Sequence, residues 1–575
     1  MNAPLNQVAN PTDEQRHEML RNALERAGRP EDFDYITTHL SPPPDITKFA
    51  EPGDMKGVKI GILGGGLAGL CTAFELRKLG AEITILEASD VRIGGRVNTY
   101  YFNEEGSLYG ELGAMRIPVS HETTWHYINL LGLDTISLTT PKRNNFLYVH
   151  QIRIRTTQSI EENLYPKYAL TPQEAATPWS ELNDYAMEYR MRELAPEIRA
   201  QILQILPEYS PEYIPLMNMN LRQNFEDLGL SQGAIELISN VDPVSGALLH
   251  ISYDEIAGEE YSFDYSNTYR IARGNVNLPY AFYETFQSPP QETYPSIDPN
   301  SLGKVEYKPG HLVTGIYQSS YRNKVIIKYQ SREGIDSADI FDYVVCALPL
   351  STLRDIEIRP FFNNRKMQAI QEFHYLDAQK TLFLCNRRFW ERNTEYGNIF
   401  GGISFTDLPI QSILYPGDHN HCISASAEMT GGSIRVDSPE CSPELPGVLT
   451  ASYNLELNSV RVGGLEEQKR FELIRQNVEE VHGLPRGFLN SFVEQSVTAH
   501  WNCEPHFLGA LSYALPGQKQ LFAYELLQPE YQGRFYLAGE HASAKHGWMQ
   551  GALYSGKAAA NQLAQHFHSQ FLNLG

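Results

Sequence analysis

The sequence is poor in cysteine and has no long uninterrupted apolar run. Six cysteines are scattered over 575 residues without a CxxC pair or a metal-ligand spacing. So few cysteines in so long a chain predict reduced thiols in a cytosolic protein. The first residues carry no secretory signal pattern, and glycines at 64, 65, 66 and 69 interrupt the apolar stretch 60–74. We therefore expect a soluble, cytoplasmic protein without a membrane span.

Basic residues are also in short supply. The chain has 47 Lys and Arg against 69 Asp and Glu, which gives a formal net charge of −22. Nucleic acids and anionic membranes are bound by clustered basic side chains, so neither is expected as a partner. Hydrophobic residues make up 42% of the chain, and together with its length they predict a globular protein of two or three domains.

The predicted elements begin with a helix and then alternate. Thr12 and Gln15 form a capping-box pair at the start of a helix near the N-terminus. From residue 58 a strand, a helix over 67–79 and a strand over 83–86 predict a βαβ unit. Residues from about 160 to 250 have helical spacing, and residues 311–329 alternate as in a hairpin.

A glycine motif lies at the first turn of the βαβ unit. Gly64, Gly66 and Gly69 fit GxGxxG: the first allows a tight turn, the second admits a pyrophosphate, and the third lets helix pack on strand. The helix N-terminus then offers free N–H groups to phosphate. Glu87, 18 residues after Gly69, ends the second strand, where a carboxylate can accept hydrogen bonds from ribose hydroxyls. In this context the motif predicts dinucleotide binding.

The segment that follows Glu87 favours FAD over NAD. In Arg92-Ile93-Gly94-Gly95-Arg96 two glycines are flanked by arginines. Such a turn makes a second backbone cradle, and the guanidinium groups can pair a phosphate through two hydrogen bonds. The alternative is a Gly-Gly turn without a ligand.

With these motifs, three later segments resemble the flavin amine oxidase superfamily, which includes monoamine, polyamine and L-amino-acid oxidases. They are Arg273-Gly274-Asn275, Val344-Val345-Cys346-Ala347-Leu348-Pro349 and Tyr536-Leu537-Ala538-Gly539-Glu540-His541. The resemblance covers residues 58 to 560 in order. It implies an α/β fold with a Rossmann-type FAD-binding domain, a mixed-sheet substrate-binding domain and a helical domain.

The implied domain division is discontinuous. Residues 1–55 form an N-terminal appendage of a helix and a proline-rich connector, either a pro-segment, an interface arm or a helix docked on the surface. The FAD-binding domain comprises residues 56–105, 268–350 and 510–565. The substrate-binding domain comprises residues 106–155, 251–267 and 351–509, and the helical domain residues 156–250.

The resemblance implies FAD held without a covalent bond. Ala510 stands where the monoamine oxidases carry the cysteine that links their flavin, so no thioether can form there. The residues expected to contact the cofactor are Gly64, Gly66, Leu67, Ala68, Gly69, Glu87, Ala88, Gly95, Arg96, Gly113, Ala114, Met115, Arg116, Val313, Gly539, Glu540, Gly547, Trp548, Met549 and Ala552.

Four residues imply an amino acid rather than an amine as substrate. Arg116 lies in a segment similar to the one whose arginine binds the substrate carboxylate in L-amino-acid oxidases, and a planar guanidinium suits a carboxylate. Tyr415 resembles the tyrosine that completes carboxylate binding. Gly547 and Trp548 resemble the glycine whose carbonyl accepts the substrate ammonium and the tryptophan beside the flavin face. The alternatives are an ion pair of Arg116 with Glu111, and packing roles for Tyr415 and Trp548.

Besides Arg116, Lys380 is expected to have a catalytic role. It begins an apolar strand and resembles the lysine that holds a water against the flavin. A cation at this place favours electron transfer to O₂, because negative charge develops on the oxygen. The alternative is an ordinary solvated lysine.

The implied reaction is the oxidative deamination of a free L-amino acid. A hydride passes to FAD from the neutral amine form, O₂ reoxidises the flavin to give H₂O₂, and the imino acid hydrolyses to a 2-oxo acid and ammonia. The substrate side chain, hydrophobic, aromatic or basic, is left open, and so is the oligomeric state, since homodimers are common among relatives.

Three alternatives remain. A related L-amino-acid 2-monooxygenase decarboxylates its substrate to an amide, and an amine or polyamine oxidase would have no use for Arg116. The non-enzymatic alternative is a flavin-free chaperone of prenylated GTPases with the same fold, which the intact glycine motifs disfavour.

Overall fold

The computed structural model describes residues 8–138, 144–287, 293–294, 296–320, 323–419, 422 and 439–572. Its strands are β1 (Lys59–Leu63), β2 (Glu82–Leu86), β3 (Thr99–Tyr101), β4 (Tyr109–Glu111), β5 (Ile117–Pro118), β6 (Thr135–Ser137), β7 (Phe146–Val149), β8 (Ile152–Arg155), β9 (Thr268–Ile271), β10 (Lys304–Lys308), β11 (His311–Gln318), β12 (Val325–Ser331), β13 (Asp336–Phe341), β14 (Tyr343–Cys346), β15 (Glu357–Arg359), β16 (Tyr375–Leu376), β17 (Ala378–Cys385), β18 (Gly402–Thr406), β19 (Ser412–Tyr415), β20 (Gly447–Leu455), β21 (Val493–His500), β22 (Leu511–Ser512) and β23 (Phe535–Leu537).

The helices among the described residues are α1 (Asp13–Arg26), α2 (Phe33–Leu40), α3 (Leu67–Arg77), α4 (Glu122–Leu130), α5 (Ile160–Asn163), α6 (Pro172–Ala175), α7 (Trp179–Arg192), α8 (Pro196–Arg199), α9 (Ile214–Met217), α10 (Leu221–Asp227), α11 (Gln232–Val241), α12 (Pro243–Ala247), α13 (Tyr253–Tyr261), α14 (Asn277–Gln287), α15 (Leu350–Leu353), α16 (Asn364–Glu372), α17 (Glu456–Gly463), α18 (Glu467–His482), α19 (Tyr524–Leu526) and α20 (Met549–Leu572). No helix of this set is long and apolar enough to cross a membrane.

A parallel sheet of five strands carries the predicted βαβ unit. Its order is β10-β2-β1-β14-β23, and every neighbouring pair is parallel. All four residues of β14 are buried, as expected for a parallel strand covered on both faces. Helix α3 connects β1 to β2 and packs against α20. The predicted Rossmann-type unit is confirmed, and its strands come from all three segments assigned to the FAD-binding domain.

A second, larger sheet of seven strands is mixed. Its order is β21-β17-β20-β19-β18-β7-β8, in which β18 and β7 are parallel and the other pairs antiparallel. Helices α5 to α12 occupy residues 156–250, and the predicted hairpin is formed by β11 and β12. The α/β fold class is confirmed, whereas the exact domain boundaries stay a prediction.

The N-terminal helix docks on the body of the protein. Thr12 and Gln15 form the predicted capping box, and α1 buries Leu20 and Leu24 in the main hydrophobic core. Arg16, only 1% exposed, forms an ion pair with Glu122 at 2.9 Å and donates to the Val119 carbonyl at 2.6 Å. The helix is therefore an integral part of the fold, as the docked-helix interpretation requires.

The expectation that all cysteines are reduced is wrong. Cys422 and Cys441 form a disulfide with their Cα atoms 5.6 Å apart, and the other four cysteines are free. The number and spacing of cysteines do not report which thiols the fold brings together, and these two are 19 residues apart. Disulfides are uncommon in the cytosol, so the cysteines no longer argue for a cytoplasmic location. The cytoplasmic location therefore stays a prediction.

The disulfide can be tested by counting the free thiols of the protein. Under denaturing conditions without reductant, a thiol reagent should react with four cysteines per chain, because the disulfide withholds two of the six. After reduction and removal of the reductant the count should rise to six. A count of six before reduction would show that Cys422 and Cys441 are thiols in the isolated protein.

Candidate active site

The first glycine turn joins β1 to α3. Gly64 has φ of +99°, which side-chain-bearing residues rarely adopt. A Cβ on Gly69 would lie 2.1 Å from the Gly64 carbonyl oxygen, so only glycine permits this approach of helix to strand. Gly66 is the N-cap of α3 and no side chain caps the helix. The first N–H groups of α3 and the positive end of its dipole are thus available to a phosphate.

Glu87 supports this turn from the end of β2. Its Oε2 accepts a hydrogen bond from the Gly65 N–H at 2.7 Å, and its Oε1 accepts one from the Ser89 N–H, also at 2.7 Å. Both oxygens are thereby oriented, and each keeps a lone pair for a further donor. The contact of Glu87 with a ribose stays a prediction.

The second glycine turn lies against the first. Gly94 and Gly95 have φ of +101° and +62°, and Gly94 forms an isolated bridge with Gly66. Arg96 pairs with Glu540 at 2.9 Å. Burial alone would raise the pKa of Glu540, but the adjacent Arg96 guanidinium helps to hold it at about 2. The turn therefore presents an arginine whose partner carboxylate stays ionised.

A cavity of about 770 Å³ extends from both turns. It is lined by most of the predicted cofactor residues, namely Gly64, Gly66, Leu67, Ala68, Glu87, Ala88, Gly95, Arg96, Gly113, Ala114, Met115, Arg116, Gly539, Glu540, Gly547, Trp548, Met549 and Ala552. The structure does not bring Gly69 or Val313 to its wall: Gly69 packs α3 on β1, and Val313 is buried in a separate core. The cavity is within the size range of cofactor sites.

Arg116 enters this cavity from the loop between β4 and β5. Its guanidinium lies over the Tyr265 ring at 5.2 Å, and the Tyr265 hydroxyl donates to Glu259 at 2.7 Å. Trp548 donates to the same carboxylate at 2.8 Å. Within the described part of the chain, no carboxylate pairs with Arg116. The alternative partner Glu111 is bonded instead to Thr99 and the Asn275 N–H.

Lys380 lies on the buried strand β17 and also lines the cavity. Its Nζ donates to the Gly113 carbonyl at 2.6 Å and lies 4.6 Å from the centre of the Tyr453 ring. Burial lowers the pKa of Lys380 to about 7, against an opposing effect of Glu111. Burial likewise raises the pKa of Glu111 to about 7. Lys380 can therefore change its charge near neutral pH.

Tyr415 lines the cavity with its hydroxyl already bonded. His482 donates from Nδ1 to the Tyr396 carbonyl at 2.7 Å, and burial lowers the pKa of His482 to about 4. The ring is thus neutral, and its Nε2 accepts from the Tyr415 hydroxyl at 2.8 Å. Ser404 is the second partner of this hydroxyl, at 3.0 Å. Binding of a carboxylate by Tyr415 stays a prediction, and it requires the hydroxyl to leave His482.

Sequence reasoning missed part of the cavity wall. Glu259, Glu260 and Tyr265 follow α12 along the chain and reach the wall on or just after α13, and Tyr453 reaches it from β20. Burial raises the pKa of Tyr453, and the Arg116 charge opposes this. Tyr453 could have been found from the β-branched and aromatic residues around it, which predict a strand. In the structure this strand pairs with β17, and Tyr453 lies opposite Lys380.

Two glycine turns lie at one end of a cavity, with a lysine and an arginine further along it, and this is the kind of site in which enzymes hold a phosphate-bearing cofactor. The cradle fits such a group, because any Cβ at Gly69 would close the turn and because the α3 N-terminus faces the cavity. The family model described as "Flavin containing amine oxidoreductase" matches residues 67–564. The chain belongs to this family of flavin-dependent oxidoreductases.

Curated relatives and solved structures agree with this assignment. The chain is 27% identical over 508 residues to an L-amino-acid oxidase of Vipera ammodytes ammodytes, which covers 87% of this chain and 92% of the relative. It is 28% identical over 551 residues to an L-amino-acid oxidase of Echis ocellatus, with 95% of each covered. Its fold is similar to the cyclohexylamine oxidase of Brevibacterium oxydans IH-35A, at a TM-score of 0.63, 17% identity and coverage of 89% and 99%. A putrescine oxidase is similar at a TM-score of 0.57 and 16% identity, with coverage of 88% and 99%.

Proposed function

We propose that the protein is an L-amino-acid oxidase that binds FAD without a covalent bond. The observation that carries this proposal is the Arg116 guanidinium, which faces the cavity and has no protein carboxylate as partner within the described residues. A permanent, planar cation in a partly apolar cavity needs an anionic ligand, and the carboxylate of an amino acid supplies one. The names of the curated relatives point the same way.

The remaining residues orient the substrate around this anchor. Arg116 binds the carboxylate, the Gly547 carbonyl accepts a hydrogen bond from the amino group, and Trp548 lies beside the flavin face, in the roles that the sequence predicts. The second hydrogen bond to the carboxylate comes from Tyr415 after it leaves His482. Tyr453 is available nearby, because its hydroxyl makes no hydrogen bond to the described residues. The protein thereby fixes the Cα–H bond in one direction.

When bound, the flavin supplies the chemistry of hydride acceptance and reaction with O₂. Lys380 contributes a cation that stabilises the negative charge developing on oxygen, and its bond to Gly113 holds it in place. The amine must reach this site as the neutral base, which favours turnover on the alkaline side.

The reaction products distinguish an L-amino-acid oxidase from a decarboxylating monooxygenase and from an amine oxidase. We expect H₂O₂, ammonia and a 2-oxo acid when the purified enzyme is screened against the L-amino acids of proteins. An amide and CO₂ would show the decarboxylating monooxygenase instead, and activity on amines alone would show an amine oxidase.

A further expectation concerns the attachment of the cofactor. No cysteine lines the cavity among the described residues, and Ala510 lies on its wall. Acid or heat precipitation should therefore release all the yellow colour into the supernatant. Colour that stays with the pellet would reveal a covalent link, for which His506 on the cavity wall would be the residue to examine.

A further inference from the structure

Three side chains of ligand type meet outside the cavity, each from a different segment. His250 follows α12, His374 precedes β16 and Glu456 begins α17. One donor atom of each lies within 4.8 Å of the donor atoms of the other two. The His250 Nε2 is 3.7 Å from Glu456 Oε2, and the two imidazole rings are perpendicular with centres 5.7 Å apart.

Two of the atoms that could bind an ion, one on His374 and one on Glu456, accept no hydrogen bond from the described residues. Nδ1 of His374 is buried without a hydrogen-bond partner among the described residues. Glu456 Oε1 accepts from the Asp377 N–H at 3.1 Å, which fixes the carboxylate and leaves Oε2 turned to His250. The separation of 3.7 Å from His250 is too long for a hydrogen bond. The three groups converge without satisfying one another.

Burial favours the neutral form of both rings: it lowers the pKa of His250, and together with the charges of His250 and Arg354 it lowers that of His374. A hydrogen bond of His374 with the Tyr513 backbone acts in the opposite direction. Neutral imidazole is the form that binds metals. The Arg354 guanidinium itself is turned to the carbonyls of Ile370 and Phe373, to which it donates at 2.8 and 2.6 Å.

We infer that His250, His374 and Glu456 form a binding site for Zn²⁺ or a transition-metal ion of similar ligand preference. Two imidazoles and one carboxylate, with water as the fourth ligand, are a common zinc set. Tetrahedral bonds of about 2.0–2.1 Å place ligand atoms roughly 3.3 Å apart. His250 is 47% exposed and has the freedom to close the remaining gap. Mg²⁺ and Ca²⁺ prefer oxygen ligands and are not expected here.

The position of the site gives such an ion a structural consequence. Each ligand has a near neighbour in sequence on the cavity wall, namely Leu248, Leu376 and Leu455. An ion bound to the three ligands would join the segment after α12 to the start of β16 and to the start of α17, which follows β20 of the mixed sheet. None of the three ligands lines the cavity, and the inference does not depend on the proposed reaction.

Zinc titration of the tag-free, flavin-loaded enzyme tests the site by calorimetry after treatment with a chelator. The wild type should bind one Zn²⁺ per chain. Loss of an outer-shell partner alone weakens zinc binding about 10- to 100-fold, so His250→Ala and Glu456→Gln should each weaken it by at least about 10-fold. His568→Ala removes an exposed histidine far along α20 and serves as the control with unchanged affinity. Equal affinity of wild type and His250→Ala would overturn the inference.

Two further measurements distinguish a specific zinc site from general attraction of cations. The net charge of −22 attracts any cation, so binding of Mg²⁺ as tight as that of Zn²⁺ would also overturn the site. Zn²⁺ should raise the midpoint of thermal unfolding of the wild type, and it should not do so for His250→Ala. Both variants should keep the flavin and, without metal, the midpoint of the wild type, which shows that they fold.

Discussion

Arg116→Lys should lower kcat/KM for L-amino acids by roughly 10- to 150-fold while the enzyme keeps its flavin. The lysine supplies the positive charge but cannot make the two parallel hydrogen bonds of a guanidinium to a carboxylate. A charge-assisted hydrogen bond of this kind is worth about 1.5–3 kcal/mol, which gives the expected range. The value of kcat should fall as well, because a displaced carboxylate moves the Cα–H bond away from its direction of reaction. Steady-state kinetics on the best L-amino acid measure both constants.

Two controls accompany this measurement. Arg332→Lys changes an exposed arginine paired with Asp90 outside the cavity, and it should leave kcat/KM unchanged. The amine formally obtained by decarboxylating the best substrate should be a poor substrate of the wild type and no worse for Arg116→Lys. If the variant lost activity equally on amine and amino acid, Arg116 would have a structural role, and an amine oxidase would explain the site better.

Lys380→Met should slow the reaction of the reduced enzyme with O₂ by about tenfold or more, which corresponds to at least ~1.4 kcal/mol of lost stabilisation. Methionine fills much of the lysine volume but brings no charge to the buried end of β17. Reduction by the amino acid should change little, because the proposed anchor of the substrate is Arg116 and not Lys380. Stopped-flow measurement separates the two half-reactions, and an unchanged oxygen reaction would remove Lys380 from the mechanism.

The pH dependence gives the same variant a second readout. Since the pKa of Lys380 lies at about 7, its ammonium is present below this pH and is lost as the pH rises through it. The oxygen reaction of the wild type should therefore slow as the pH rises through about 7, and Lys380→Met should lack this step. The reaction with the amino acid should show the opposite trend, since the neutral amine becomes more abundant at higher pH.

The two glycine turns at one end of the cavity could be predicted from the sequence because their conformational requirements are local. Gly64 and Gly94 have φ near +100°, and Gly69 leaves no space for a Cβ. Each of these constraints acts within a few residues of chain, so it leaves glycines at fixed spacing. The parallel strands flanking them are short apolar runs, which the sequence also shows directly.

The opposite wall could not be predicted in this way. Glu259, Glu260 and Tyr265 reach the cavity only through the packing of α13 against distant segments, which no local pattern reports. The bond between Tyr415 and His482 joins residues 67 positions apart and shows why a matching tyrosine does not establish its hydrogen-bond partner. The pair of Cys422 and Cys441 was missed for a similar reason, since proximity in the fold is not visible in a cysteine count.

The docking of α1 limits how far the N-terminus of the enzyme can be truncated. Arg16 holds the carbonyl of Val119, three residues beyond Arg116, and neutralises the nearly buried Glu122. A chain cut after the first helix would leave Glu122 as an unpaired carboxylate in the interior, and such an uncompensated charge costs about 3–5 kcal/mol. The segment that follows Arg116, the proposed substrate anchor, would lose its support in the same cut. The N-terminal helix thus supports the proposed substrate anchor, and shortened versions of the enzyme should retain α1.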